Sequence, residues 1–343
     1  MNSDSLGPQG GDRRGRRRIE LDLSTCVNPY GPPSAVMSAL RNLPESMVRL
    51  HPYGAAAQVE CIYAGHLGQP ASEFVSGCGS SDLIWWLGQI FDQASIGLPM
   101  PAYTEFLRAF PQARAWGGGP STHALQVIEE AMRANDVVVL SNPHNPTGQV
   151  IQKSGLADLA NRYRSTTLVV DESYIDFLPD DSDVTLIGCD SDNVAVLRSP
   201  SKFFGLAGLR SGVAWSRSKT LRLALQERRT TWPISALAAE LLSCAIGERA
   251  WAIKVRRLLA DDASWLYELL AHSGLSIAPG HLHFRLMTGS APEVAVFVNC
   301  LESNGILVRV LEAAHGVGMP AIRISAPKRV DRSLLGAALG RPG

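Results

Sequence analysis

An amine nucleophile has few candidates in this chain: among its 32 Lys and Arg residues, only Lys153, Lys202, Lys219, Lys254 and Lys328 are lysines. Lys202 stands in Ser199-Pro200-Ser201-Lys202, directly after an apolar run, where partial burial would lower its pKa and free the amine. Four further polar segments are placed in a similar way. Gly77-Cys78-Gly79-Ser80-Ser81 precedes residues 83–91 (LIWWLGQIF). That offers backbone N–H groups and two hydroxyls at a helix N-terminus, either a phosphate cradle or a plain glycine turn. Asn142-Pro143-His144-Asn145-Pro146-Thr147-Gly148 has two Asn-Pro steps that hold an extended, rigid loop. Asp171-Glu172-Ser173-Tyr174 puts a carboxylate at a strand end, where burial demands a cationic partner, a ligand's cation or an internal arginine. Gly208-Leu209-Arg210-Ser211-Gly212 sets an arginine between small residues, suited to bidentate phosphate binding.

These segments need a scaffold that gathers them. Compact apolar runs at 136–141 (DVVVLS), 166–170 (TTLVV) and 193–198 (NVAVLR) predict strands of a parallel sheet, alternating with amphipathic helical stretches. Ligands in such sheets collect at the carboxyl ends, which is where residues 142–148, 171–174 and 199–202 fall. A helix-rich stretch over 218–272 follows. Shorter strands at 275–277, 283–287, 306–310 and 321–325 then alternate with helical 292–304 and 331–339, predicting a second, smaller C-terminal domain. The fold class is α/β. Residues 1–18, with Gly7, Pro8, Gly10, Gly11 and the cluster Arg13, Arg14, Arg16, Arg17, Arg18, read as a flexible arginine-rich arm.

With 343 residues, 45% hydrophobic and 19% charged, the chain has the material for a large core, which excludes disordered and fibrous classes. Lys+Arg and Asp+Glu balance at 32 each and the pI is about 7.1, so no global charge draws it to nucleic acid or anionic lipid. Cys26, Cys61, Cys78, Cys189, Cys244 and Cys300 have neither zinc-ligand nor disulfide-framework spacing, which points to a reduced, cytoplasmic setting without a metal site. No apolar run approaches the ~20 residues of a membrane helix. The expected partner is a small molecule.

The order GCGSSD, NPHNPTG, DESYIDF, SPSKFFGLAGLRSG resembles the fold type I pyridoxal-phosphate enzymes, in the branch holding histidinol-phosphate aminotransferases and threonine-phosphate decarboxylases. The resemblance runs from about Leu21 to the C-terminus. It implies an aspartate-aminotransferase-like fold. Residues 46–230 would form a large cofactor-binding domain, its mostly parallel central sheet sandwiched by helices. Residues 19–45 would pack with the small domain, and 231–343 would supply connecting helices and that domain. The implied cofactor is pyridoxal 5'-phosphate (PLP), held by Lys202 as a Schiff base, with Lys202 also moving the Cα proton. Asp171 would pair with the ring nitrogen, Asn145 and Tyr174 would bond the ring oxygen, and Tyr103, in Pro101-Ala102-Tyr103-Thr104-Glu105-Phe106, would stack on the ring. Gly79, Ser80, Ser81, Ser199, Ser201 and Arg210 would hold the cofactor phosphate. Arg323 would grip the substrate α-carboxylate, with Asn28 also on the substrate side. His281-Leu282-His283 stands where relatives have a small residue and Asn, so His283 is either a satisfied histidine or a substrate contact. A homodimer with shared active sites is implied, the segment around His51 and Tyr53 crossing to the partner.

The chain also departs from that branch. Gln9 stands where the decarboxylases have the histidine of His-Gly-Gly, and His51-Pro52-Tyr53 replaces Tyr-Pro-Asp. Residues 309–316 (RVLEAAHG) replace Arg-x-x-x-Asn-Tyr-Pro-Gly. Transamination and decarboxylation differ in which Cα bond stands perpendicular to the ring, an angle set by the carboxylate clamp. The leading expectation is an aminotransferase for a small amino acid or amino alcohol. The alternatives are a decarboxylase of the threonine-phosphate type and a specialised cyclase or eliminase of secondary metabolism.

Overall fold

The strands read from the sequence at 136–141, 166–170 and 193–198 lie side by side in one sheet of the structure, a computed structural model that describes residues 9–14, 18–119, 124–312 and 315–340. After a two-residue strand, β1 (Leu21–Asp22), come β2 (Phe74–Gly77), β3 (Ile96–Met100), β4 (Arg114–Gly117), β5 (Val137–Ser141), β6 (Thr167–Asp171), β7 (Val194–Arg198) and β8 (Gly212–Trp215). The last seven form a sheet in the order β2-β8-β7-β6-β5-β3-β4. Strands β3 to β7 are mutually parallel, and β8 is antiparallel to both neighbours.

Alternation along these strands explains the unbroken apolar runs. Val138, Leu140, Val170 and Val196 pack against the helices Ala55–Leu67, Leu125–Ala134, Lys153–Arg162 and Ala236–Ile246. Val139, Val169 and Leu197 face the other way, onto Ser80–Ile90, Thr104–Ala109 and Lys219–Arg228. A strand covered on both faces needs an apolar residue at every position. The parallel order leaves the carboxyl ends of β3, β5, β6 and β7 at one edge, the last three running into residues 142–148, 171–174 and 199–202 and β3 into 101–106.

Beyond the helices lie β9 (Ser276–Ile277), β10 (Phe284–Thr288), β11 (Ile306–Leu307), β12 (Arg309–Leu311) and β13 (Ala321–Ser325). Four of them form an antiparallel sheet in the order β12-β13-β10-β9. Its core joins Ile322 and Ile324 to Leu266 and Leu270 of the helix Arg249–Leu270 and to Phe297 and Leu301 of the helix Ala291–Ser303. The latter helix starts on a capping box between Ser290 and Glu293, with Pro292 in its first turn. The single strand expected over 306–310 is two strands. Ile306–Leu307 pairs in parallel with β1, and Arg309–Leu311 pairs with β13, so the chain changes partner at Val308.

The arm also differs from expectation where it is described. Gln9 Nε2 donates to Glu105 Oε1 (2.8 Å), the Gly11 N–H donates to Ser24 Oγ (2.7 Å), and Arg13 lies 3.6 Å from Asp22. Residues 9–14 therefore form a strap tied to the body of the protein; residues 1–8 and 15–17 lie outside the described residues.

Candidate active site

The carboxyl ends of the parallel strands open into a cavity of about 340 Å³, walled by Ser80, Ser81, Tyr103, Asn145, Asp171, Tyr174, Lys202 and Arg323 among others. Eight residues singled out from the sequence thus meet in one space. Burial lowers the pKa of Lys202, helped by the charges of Arg323 and Arg210 and opposed by Cys26 and Asp171. An amine in that setting gives up its proton more readily than an ordinary lysine.

Asp171 is buried, and Ser173 donates its N–H (3.0 Å) and hydroxyl (2.5 Å) to Oδ1. Burial raises its pKa; the nearby charge favouring ionisation is that of Lys202. The internal-arginine alternative applies to the neighbouring residue, because alternation turns Glu172 to the opposite face. There Arg198 meets Glu172 at 3.0 Å, Asp176 at 3.2 Å and Asp181 at 3.1 Å. Glu172 also accepts from Thr185 Oγ1 (2.7 Å) and the Leu186 N–H (2.8 Å). This network fastens the ends of β6 and β7 together and leaves Asp171 free to take a cation from the cavity.

A phosphate would find a built cradle at the start of the helix Ser80–Ile90. Gly79 has φ 84°, and a Cβ there would lie 2.7 Å from Arg210 Nη2; a Cβ on Gly212 would lie 2.8 Å from the Ser80 N. Gly212 is required by its close approach to backbone, and Gly79 by its positive φ. Arg210 is itself left-handed at φ 53°, the one non-glycine with positive φ among the described residues, a strained backbone of the kind that clusters at functional sites. Its guanidinium donates to the carbonyls of Ala207 (3.2 Å) and Cys78 (3.4 Å). Ser199 Oγ bonds Ser201 Oγ (2.8 Å), and the buried hydroxyl of Ser211 has no partner. These donors fit a phosphate group, and the cation-free Asp171 fits a protonated ring nitrogen. The residues present therefore suit the group that the sequence implies.

Asn145 and Tyr174 both neighbour the Arg323 guanidinium. Asn145 Oδ1 accepts from Arg323 Nη1 (2.5 Å), and its N–H donates to Ser141 Oγ (3.0 Å). The Asn142–Pro143 and Asn145–Pro146 bonds of this loop, expected to be extended, are both cis. Buried His144 pins the loop, bonding Thr147 Oγ1 (2.7 Å) and the Pro101 carbonyl (2.9 Å), and burial lowers its pKa to about 4, so the ring is neutral. Burial, then Cys26, pushes the Tyr174 phenol well up. Burial, then Glu105 and Asp171, pushes Tyr103 up to about 12.

Arg323 on β13 is buried, donates Nη2 to the Ser24 carbonyl (3.1 Å), lies 5.5 Å from the Phe284 ring and has no partner for Nε. No ion pair compensates its charge among the described residues. Arg309 registers beside it on β12 and bonds Thr104 Oγ1 (3.3 Å). Burial, then Arg323 and Arg108, lowers the pKa of Arg309 to about 10. Within the variant stretch 309–316, His315 contacts both Thr104 (3.0 Å) and Arg309 (3.4 Å), while residues 313 and 314 lie outside the described residues.

Two expected substrate residues are placed otherwise. Asn28 donates Nδ2 to the Phe203 carbonyl (2.9 Å), its N–H to the Lys202 carbonyl (2.9 Å), and accepts from the Tyr30 N–H (2.9 Å). It braces the lysine loop and does not line the cavity. His283 stacks on Phe177 (4.4 Å between centroids) and lines a different cavity. Ser199, Ser201 and Arg210 adjoin the cavity without lining it. Gln9, Gly10, Thr25, Glu105, Ser141 and Ser173 line it and were missed. Glu105 opens the helix Thr104–Ala109 and Ser173 lies in the turn after β6, so neither follows a strand alternation that would have marked it from the sequence. Gln9 and Gly10 had a signal only in the likeness of Gln9-Gly10-Gly11 to His-Gly-Gly, since no apolar pattern surrounds them.

The fold is aspartate-aminotransferase-like. The histidinol-phosphate aminotransferase from Sinorhizobium meliloti, solved in complex with pyridoxal-5'-phosphate, superposes with a TM-score of 0.87 at 23% identity, covering 98% of this chain and 95% of that one. Threonine-phosphate decarboxylase from Pseudomonas aeruginosa is 32% identical over 92% of this chain and 91% of its own length. Histidinol-phosphate aminotransferase 2 from Archaeoglobus fulgidus is 30% identical, over 93% and 92% respectively. The model of the aminotransferase class I and II family matches residues 18–339, and the chain belongs to that family.

Proposed function

We propose that the chain is a PLP-dependent aminotransferase for a small amino acid or amino alcohol, working through the amine of Lys202. The observation that carries this reading is the meeting, in one cavity, of a lysine of lowered pKa, a buried carboxylate and a buried arginine, the last two outside any ion pair among the described residues. Pyridoxal 5'-phosphate supplies, when bound, an electron-withdrawing ring that makes a bond at the substrate Cα labile. Lys202 Nζ takes the Cα proton and returns it. Asp171 would keep a proton on the ring nitrogen, Asn145 and Tyr174 would hold the ring oxygen, and Tyr103 would pack on the ring. Gly79, Ser80, Ser81, Ser199, Ser201 and Arg210 would bind the phosphate. Arg323 orients the α-carboxylate, and the strap at Gln9–Gly11 keeps water from that side of the cavity.

Decarboxylation of an amino-acid O-phosphate is the second reading, favoured by the strap lying where Gln9 and Gly10 line the cavity and by the 32% identity to a threonine-phosphate decarboxylase. Incubation with a panel of amino acids and their O-phosphates, following pyridoxamine phosphate and CO₂, separates the two. Pyridoxamine phosphate without CO₂ supports transamination, and CO₂ as the main product overturns it. Loss of the cofactor's visible absorbance in Lys202→Ala is expected in both cases.

We also read the active unit as a homodimer. Val48, Leu50, Tyr53 and Trp232 are 40–79% exposed, and His51 stacks on Trp232 at 4.0 Å, an apolar patch of the kind that marks an interface. A monomer of full activity in sedimentation would refute this. The six free thiols suit a reducing, cytoplasmic setting and a role in amino-acid metabolism.

A further inference from the structure

A second cavity, of about 450 Å³, lies between the helix Arg249–Leu270 and residues 177–179 and 281–283, and shares no lining residue with the Lys202 cavity. Its wall is mainly apolar, includes Phe177, Leu259 and Leu282, and carries Arg256 and Arg257 but no carboxylate. Neither arginine forms an ion pair among the described residues. Arg256 is held in place, donating Nε to the Asp176 carbonyl (2.8 Å) and lying 4.9 Å from the Phe203 ring.

His283 lines the same cavity, 2% exposed, and neither of its ring nitrogens makes a hydrogen bond among the described residues. The Cys26 carbonyl faces the ring short of hydrogen-bonding geometry. Burial, then the charges of Arg323 and Arg285, lowers the pKa of His283 to about 3, so the ring is neutral, with one N–H and one bare acceptor. A buried acceptor without a donor is costly and rare. Asp176 and Asp181 act on Arg256 from outside the cavity. Volume, apolar wall, two cations outside any ion pair among the described residues and an unpaired acceptor together describe a ligand.

We propose that this second cavity binds a small carboxylate whose apolar body bears a hydroxyl group. The carboxylate meets Arg256 and Arg257, the body packs on Phe177 and Leu259, and the hydroxyl donates to His283. The site is joined to the Lys202 cavity through β10 and β13, since Leu286 registers with Arg323 and the Ala326 N–H donates to the His283 carbonyl (2.7 Å). It is independent of which reaction Lys202 performs.

The test titrates the holoenzyme with 3-hydroxybenzoate, benzoate and benzyl alcohol by calorimetry, while the His283 imidazole signal, assigned from His283→Phe, is followed by NMR. Saturable binding of 3-hydroxybenzoate that moves this signal is expected, with benzoate weaker by about tenfold for want of one hydrogen bond. Benzyl alcohol should bind weakest. The double variant Arg256→Gln, Arg257→Gln should weaken both carboxylates alike, whereas His283→Phe should abolish the preference between them. Arg323→Gln should leave this binding unchanged. Lack of saturable carboxylate binding at millimolar concentrations overturns the proposal, as does indifference to the arginine pair. Loss of binding in Arg323→Gln would assign the probe to the active site and equally overturn it. The arginine pair lies at a half-exposed rim, so the proposal stays testable even if His283→Phe fails to fold.

Discussion

Replacing Arg323 by glutamine should move activity and stability in opposite senses. The guanidinium is buried, bonded to Asn145 Oδ1 and the Ser24 carbonyl, with Nε unpartnered. In the free protein no carboxylate among the described residues pairs with it, although Cys26, Tyr174 and Tyr103 favour its charge against burial. Once substrate is bound it forms an ion pair with the carboxylate, and breaking a buried pair from one side costs about 3–5 kcal/mol. That is roughly a 10²- to 5 × 10³-fold loss in kcat/KM for an amino acid. The free variant, relieved of a buried unpaired cation, should melt no lower than the parent. The Arg323 charge also helps to depress the Lys202 pKa, so its removal should shift the acid limb of the rate profile to higher pH. The assay compares kcat/KM for an amino acid and for an amino alcohol, which has no carboxylate to lose, alongside melting curves. An equal loss on both substrates, or a fall in melting temperature of several degrees, would refute the reasoning.

Gly10 lies against Ser24, and a Cβ there would come within 2.5 Å of the Ser24 carbonyl oxygen. Gly10→Val should lift the strap and raise KM about tenfold with little change in melting temperature; an unchanged KM would show that the strap does not shape the cavity. Burial raises the pKa of Glu172 to about 7, against the opposing charge of Arg198. Its folded form therefore binds more protons between about pH 4.5 and 7, and its contribution, full below that window, is lost as pH rises through it. Glu172→Gln removes this titration, so its melting temperature relative to the parent should climb across the window, by on the order of 3 kcal/mol in stability at most. A constant difference would contradict the assignment.

Legibility followed burial. Val137–Ser141, Thr167–Asp171 and Val194–Arg198 were readable within a residue because both faces are covered and every position must be apolar. Ile96–Met100 gave no such signal: Gly97 and Pro99 interrupt it, and only Ile96 and Gly97 pair with β5. Lys202, Asp171, Asn145 and Arg323 were legible as residue types following strands or within them, and the structure gathers them. Asn28 and His283 were misplaced because a residue's motif does not say which way its side chain turns. Asn28 faces the backbone of the lysine loop, and His283 faces Phe177. The strap was illegible because its bonds join residues far apart in the chain, Gln9 to Glu105 and Gly11 to Ser24.

The run from Ser24 to Asn28 sets a mechanical limit on the enzyme. Its first residue is gripped by Arg323 and its last by the Lys202 carbonyl, and a chain extends at most about 3.3–3.6 Å per residue. These two anchors therefore stay within about 14 Å of one another however the two sheets move. The run acts as a leash: the strand that carries Arg323 and the loop that carries Lys202 share a fixed maximum separation. Lengthening the run by even two residues beyond Thr25 would slacken that gauge while leaving Arg323 and Lys202 themselves unchanged.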